Sequence, residues 1–254
     1  MAKKLLLKKE RKVQVKNREI VLSKFEKHLV DENKDFSTSY GKITKKDLKK
    51  TTFKVGKEEF FVMKPFFIDS YKQLKRLAQI ITLKDISAII ANTGINNKSK
   101  VLESGVGSGA FICFTATIAK KVIGYEINKK HLEVAKENLK KLSLKNVELK
   151  KADFYDTNKI KEKDVDVVLL DLPETWKAIK TTEKVLKTGG FVVSYNPNIS
   201  QAQKFVNSLS EKFLYEKTVE IIEREWTVKE TVLRPKTKDF GHTAFLSFAR
   251  KIKI

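Results

Sequence analysis

Short apolar runs separated by charge open the chain: Leu5–Leu7, Val13–Val15, Ile20–Leu22, Phe53–Val55 and Phe60–Met63. Runs of this length between polar stretches predict strands. Lys54-Val55-Gly56-Lys57-Glu58 reads as the turn of a hairpin joining the last two, and a helical patch fits near Lys45–Lys50. Pro65 and the residues up to Tyr71 mark a boundary. Beyond it, Leu74, Leu77, Ile80–Ile81, Ile86 and Ile89–Ile90 recur at helical spacing, and Asn92-Thr93-Gly94 gives a glycine stop. The pattern divides the chain into a small N-terminal β domain, residues 1–66, and a larger domain, residues 67–254.

From Lys100 strands and helices alternate. Strands are predicted at Val101–Leu102, Val122–Tyr125, Val147–Leu149, Val165–Leu170, Phe191–Ser194, Glu216–Ile222 and Thr243–Arg250. Helices are predicted over Gly109–Ala119, Asn128–Leu142, Thr175–Leu186 (stopped by Gly189-Gly190) and Ser200–Leu209. Asn128 is an N-cap, and Leu132, Ala135, Leu139 and Leu142 share one face. Val165–Leu170 is nearly all apolar, as a central parallel strand is. The alternation predicts an α/β fold with a doubly wound, mostly parallel sheet.

Val101-Leu102-Glu103-Ser104-Gly105-Val106-Gly107-Ser108-Gly109 is a strand running through a glycine turn into a helix start. Such a turn lets the backbone approach a ligand and aims free N–H groups at it. Two cofactor patterns fit. Gly105, Gly107 and Ala110 satisfy G-x-G-x-x-G/A of dinucleotide enzymes. Glu103, Gly105, Gly107 and Gly109 satisfy E-x-G-x-G-x-G of S-adenosylmethionine (SAM) enzymes. A pyrophosphate has no use for Glu103, whereas a methionine moiety with a free amino group does.

Acids stand past successive strands: Glu126, Asp153 and Asp171. The carboxyl edge of a parallel sheet is where ligands bind. There Glu126 can accept ribose hydroxyls and Asp153 an adenine amino group. Asp171 either stabilises positive charge developing on a methylated ring nitrogen or caps the helix that follows.

The chain carries 53 Lys and Arg against 31 Asp and Glu, a net charge of +22. Residues 1–70 hold 19 of the former and 10 of the latter. That surplus favours a polyanionic partner, and the front domain is either a nucleic-acid platform or a solvated packing module. Cys113 is the only cysteine, which excludes an intrachain disulfide. Leu5–Leu7 falls far short of a secretory leader, and no apolar run reaches a membrane span of about 18 residues. A cytoplasmic location is expected, with no metal site and no membrane partner.

In order along the chain stand Asp35-Phe36-Ser37-Thr38 with Gly41; Arg76 with Gln79-Ile80-Ile81 and Lys84-Asp85; the glycine turn; Tyr125-Glu126; Asp171-Leu172-Pro173; Tyr195-Asn196-Pro197 with Gln201; Arg234-Pro235; and His242-Thr243. This ordered set resembles the tRNA (adenine-N1)-methyltransferases of the archaeal and bacterial homotetrameric type, which modify adenosine 58 of tRNA and, in archaea, the neighbouring 57. Thr82-Leu83, Thr175 and Ser37 depart from the family's usual Pro, Pro and His.

The resemblance implies a class I SAM-dependent fold with a seven-stranded sheet, SAM as cofactor, tRNA as partner and a homotetramer. It implies Asp171 as the catalytic residue. It implies a cofactor site of Gln79, Glu103, Gly105, Val106, Gly107, Ser108, Gly109, Glu126, Asp153, Phe154 and Asp171, with His131 where some relatives carry Arg. Tyr195, Arg234 and His242 are implied as substrate contacts. The competing readings are a non-catalytic tRNA-binding subunit, and a SAM enzyme acting on another RNA, a protein or a small molecule.

Overall fold

The apolar runs at the front form strands that pack one face inward. The computed structural model describes residues 3–16, 18–77, 79–229, 231–237 and 241–253, and the chain divides into compact units at residues 1–73 and 74–254. In the first unit, β1 (Lys3–Lys8), β4 (Glu26–Asp31), β7 (Thr52–Val55) and β8 (Glu58–Met63) make an antiparallel sheet in the order β4-β1-β8-β7. Two hairpins accompany it: β2 (Arg11–Val15) with β3 (Arg18–Ser23), and β5 (Phe36–Thr38) with β6 (Gly41–Ile43). A short helix, α1 (Phe67–Tyr71), follows. Leu6, Val30, Ile43, Leu48, Phe53 and Phe60 form the core. The residues 35–41 singled out in sequence fold as the β5–β6 hairpin, where the Thr38 hydroxyl donates to the Gly41 carbonyl at 3.0 Å.

The second unit is the expected doubly wound fold. Its strands are β9 (Lys100–Ser104), β10 (Lys121–Glu126), β11 (Val147–Lys151), β12 (Val165–Leu170), β13 (Leu186–Asn196), β14 (Phe213–Glu220) and β17 (Phe245–Lys251). They form one sheet in the order β11-β10-β9-β12-β13-β17-β14. The first five are parallel; β17 runs antiparallel to both β13 and β14. The helices are α2 (Leu83–Thr93), α3 (Ala110–Thr115), α4 (Lys129–Lys141), α5 (Ile179–Val185) and α6 (Ile199–Asn207). β9 and β12 are neighbours at the point where strand order reverses, and a crevice opens beyond their carboxyl ends. A hairpin, β15 (Trp226–Lys229) with β16 (Val232–Pro235), stands outside the sheet and was not expected from sequence. Among the described residues no helix is long and apolar enough to cross a membrane.

Four local expectations are corrected. Residues 74–77 and 79–82 are not helical; α2 begins at Leu83. The Asn138 side chain takes both the N–H and the C=O of Lys75 at 2.9 Å, and the Ser108 hydroxyl accepts the Leu77 N–H at 2.9 Å. With backbone groups satisfied from outside, the apolar spacing has no helix to enforce. Thr175–Ala178 is a 3₁₀ turn ahead of α5. Gly189-Gly190 lies inside β13, which already starts at Leu186. Helix α3 ends at Thr115, short of the expected Ala119.

Candidate functional site

The glycine turn is shaped by what packs against it. Gly105 has φ +87°, and its N–H donates to the Tyr125 carbonyl at 2.9 Å. The Asp171 N–H donates to the Ser104 carbonyl at 2.9 Å. A Cβ on Gly105 would lie 1.8 Å from the Asp171 carbonyl oxygen. Only glycine therefore allows the end of β9 to sit against the chain leaving β12. Val106 is buried and donates to the same Tyr125 carbonyl at 3.3 Å. Gly107 donates its N–H to Glu126 Oε2 at 2.9 Å. Gly109, also at positive φ, opens α3. The Ser108 carbonyl accepts from Asn138 at 2.9 Å, so Ser108 and Asn138 together bind residues 75–77 to the turn.

Three carboxylates converge beside this turn. Glu103, the penultimate residue of β9, is 2% exposed, and its Oε2 has no hydrogen-bond partner among the described residues. Burial, then the charges of Asp171 and Glu126, push its carboxyl well above the ordinary carboxylate range. Glu126 ends β10 and accepts backbone N–H groups from Gly107 and, at 2.8 Å, Asn128. Asp171 follows β12, and burial together with the Glu126 charge pushes it up to about 7. Among the described residues no lysine or arginine pairs with any of the three. His131 stands beside Glu126, its Nδ1 3.9 Å from Oε2. Buried carboxylates without counter-charge are costly unless a cation joins them. An ammonium and a sulfonium, the two cationic groups of SAM, fit this charge pattern, and the unpartnered Glu103 oxygen fits the ammonium.

Two cavities meet at Asp171. A narrow one, about 10 Å³, lies among Gln79, Ile81, Glu103, Val106, Ser108 and Asp171. A wider one, about 310 Å³, is walled by Gln79, Ile80, Ile81, Asp171, Pro173, Tyr195, Pro197, Gln201 and Thr243. Its volume is at the lower end of small-molecule sites and suits a single base. The loop after Asp171 is fixed from below: the Thr175 hydroxyl donates to Asn196 Oδ1 at 2.9 Å, and the Ser194 hydroxyl donates to Thr175 at 3.0 Å.

The other sequence-selected residues lie as follows. Asp153 turns its Oδ1 to the Tyr155 N–H at 2.9 Å, just past β11 on the same sheet edge. Phe154 is buried, its ring 5.7 Å from that of Tyr125. His242 sits beside Thr243 at the rim of the wider cavity, with Nδ1 2.7 Å from Glu220 and Nε2 2.6 Å from the Pro197 carbonyl. With acceptors on both nitrogens, Glu220 foremost, its pKa is raised and the charged form is favoured. Arg234 is exposed on β16 and borders neither cavity. Asn138, missed in sequence, had one signal: a polar side chain among the apolar positions of α4, where it is 1% exposed.

Comparison with known proteins places this geometry. Residues 70–235 match the family model described as the tRNA methyltransferase complex GCD14 subunit. The chain is 34% identical to the tRNA (adenine(57)-N(1)/adenine(58)-N(1))-methyltransferase TrmI of Methanocaldococcus jannaschii, covering 85% of this chain and 87% of that one. It is 33% identical to the tRNA (adenine(58)-N(1))-methyltransferase TrmI of Thermus thermophilus over 77% of this chain and 78% of that one. The catalytic subunit TRM61 of Candida albicans matches at 30% identity over 63% of this chain and 51% of that one. Among solved structures, a SAM-dependent O-methyltransferase from Thermotoga maritima superposes with a TM-score of 0.81 at 27% identity, covering 98% of this chain and 93% of that one. The fold is that of the class I SAM-dependent methyltransferases.

Proposed function

Because this chain belongs to the GCD14 family of tRNA methyltransferases, we propose that it transfers a methyl group from SAM to N1 of adenosine in tRNA, at position 58 and also at 57. The observation that carries the reading is Asp171, a carboxylate shared by the narrow cavity beside the glycine turn and the wider cavity next to it. That is where a group in contact with both cofactor and acceptor must stand. When bound, SAM supplies an electrophilic methyl on a sulfonium.

The chain's residues do the rest by binding, orientation and charge. The backbone of Gly105–Gly109 and the side chains of Glu103, Glu126 and Asp153 hold the cofactor's amino, ribose and adenine groups, with Val106, Phe154, Gln79 and His131 around them. The target adenosine leaves its stack to expose N1. The Asp171 carboxylate accepts from its exocyclic amine, which fixes the N1 lone pair, and favours the cationic ring that methylation produces. Tyr195 walls the base, while Arg234 and His242 contact the RNA outside the cavity. The basic front domain, residues 1–66, takes phosphates. The protein acts in the cytoplasm as a homotetramer, for which the exposed Trp226, Val228 and Leu233 of the β15–β16 hairpin offer apolar surface.

A non-catalytic subunit is disfavoured by the glycine turn and Asp171, and by the eukaryotic relatives, which are named catalytic subunits. The test is nucleoside mass spectrometry on a tRNA transcript incubated with the protein and SAM. 1-Methyladenosine at 58 and 57 supports the reading, at 58 alone overturns its extension to 57, and unmodified tRNA, or methyl on another nucleoside, refutes it.

A further inference from the structure

One polar side chain on the wider cavity has no part in the transfer step described above. Gln201 stands in the first turn of α6, a helix whose Ala202 and Phe205 are buried, Phe205 in the core of the sheet domain. Both ends of its amide are held. Nε2 donates to the Pro173 carbonyl at 3.3 Å, and Oε1 accepts from Asn198 Nδ2 at 3.2 Å. An amide nitrogen has two N–H groups and an amide oxygen has two lone pairs. One donor and one acceptor are therefore left, side by side in a fixed plane, on a residue that borders the cavity.

The chain sets the place of that pair relative to Asp171. Pro173 follows Asp171 by two residues, a span of at most about 7 Å. Asp171, Pro173 and Gln201 all line the same cavity of about 310 Å³. An adenine whose amine donates to Asp171 keeps a second amine hydrogen, beside ring nitrogen N7. That edge calls for one acceptor and one donor at the spacing of an amide, which is how Asn and Gln pair with adenine in nucleic acids. Guanine turns a carbonyl oxygen to the same place, where the Gln201 oxygen and the Asp171 carboxylate both repel it. The neighbouring polar groups are committed elsewhere. Gln79 also borders the narrow cavity beside the glycine turn. The Thr243 hydroxyl donates to Asp85 at 2.7 Å and accepts from Lys84 at 2.6 Å.

We infer that Gln201 is a specificity-determining residue: its amide donates to N7 of the target adenine and accepts from the exocyclic amine, on the edge away from the reacting N1. This rests on the proposed function for its substrate and adds the group that tells adenine from other bases. Asp171 and Gln201 then hold the amine from two sides, and the ring is fixed in its own plane.

The experiment removes N7 and the amide in turn. Wild-type protein and Gln201→Ala are each given tRNA with adenosine or 7-deazaadenosine at position 58 and guanosine at 57, and kcat/KM for N1 methylation is read at saturating SAM. Replacing N7 by C–H also makes N1 more basic, but that acts on both proteins alike and cancels between them. The preference for adenosine over 7-deazaadenosine should be about tenfold larger in the wild-type protein than in Gln201→Ala, with SAM affinity by calorimetry within about twofold. A residue that merely tied α6 to Pro173 would slow both acceptors equally. Equal preferences in the two proteins, or SAM affinity falling in step with the rate, overturn the inference. Should Gln201→Ala fail to fold, Gln201→Glu takes its place; it keeps the shape and has no N–H for N7, so its preference should fall likewise. A wild-type protein that methylates neither tRNA refutes the proposed function itself, and this inference with it.

Discussion

Asp171→Asn should pull activity and stability in opposite directions. Burial and the Glu126 charge hold the Asp171 carboxyl up to about 7, against about 3.9 in an unfolded chain. The folded protein therefore keeps a proton that the unfolded chain has released. Between about pH 4 and pH 7 the unfolded state binds fewer protons than the native state, so the stability that this group contributes is present below pH 4 and lost as pH rises. At about 1.4 kcal/mol per pH unit the loss reaches roughly 4 kcal/mol by pH 8, an upper bound. The amide keeps the shape and carries no charge. Without cofactor, Asp171→Asn should be more stable than the wild-type protein at pH 8, by up to roughly 4 kcal/mol, with the gap closing by about pH 4. The same variant should transfer methyl groups roughly a hundredfold or more slowly, the scale of one electrostatic contact in a closed site. tRNA affinity, set mainly by phosphate contacts, should change little. Denaturant unfolding at pH 4 and pH 8, beside single-turnover methylation under saturating SAM, measures both halves. A wild-type transfer rate in the variant would remove charge stabilisation from Asp171. A variant less stable than wild type at pH 8 would show that its carboxylate is compensated by a partner.

Glu126→Ala should weaken SAM binding by about 1–3 kcal/mol and leave NAD unbound in both proteins; calorimetry showing unchanged SAM affinity, or any NAD binding, counts against the cofactor assignment. Gly105→Ala puts a carbon 1.8 Å from the Asp171 carbonyl and should abolish SAM binding and lower the melting temperature, so an alanine variant with normal binding would disprove the close approach of the two loops. Affinity for tRNA should fall steeply with salt, and replacing lysines within residues 1–64 should flatten the log–log slope; a slope that ignores those lysines would free the front domain of a phosphate-binding role.

The central sheet was readable because parallel strands buried on both faces leave unbroken apolar runs such as Val165–Leu170. The N-cap at Asn128 was readable because capping is local: its side chain accepts the Lys130 N–H at 2.9 Å. The stretch before Leu83 misled because Leu74 and Ile81 are buried without a helix, Leu77 is exposed, and the backbone of Lys75 and Leu77 is bonded by Asn138 and Ser108 in other elements. No local pattern announces a partner 31 or 63 residues away. The same holds for the acids. Their places past successive strands followed from alternation, but that no lysine or arginine among the described residues pairs with them, in a chain of net charge +22, is visible only in three dimensions.

Gln79, Ile80 and Ile81 border both cavities, the narrow one beside the glycine turn and the wide one beyond Asp171. One stretch of backbone, tied down at Lys75 and Leu77, is therefore a party wall. Remodelling it changes the lining of both cavities, so variants that alter target choice at these positions are expected to alter cofactor affinity too. Pro197 and Gln201 border the wider cavity and not the narrow one, and retargeting the enzyme, by selection or by design, has its independent dials there.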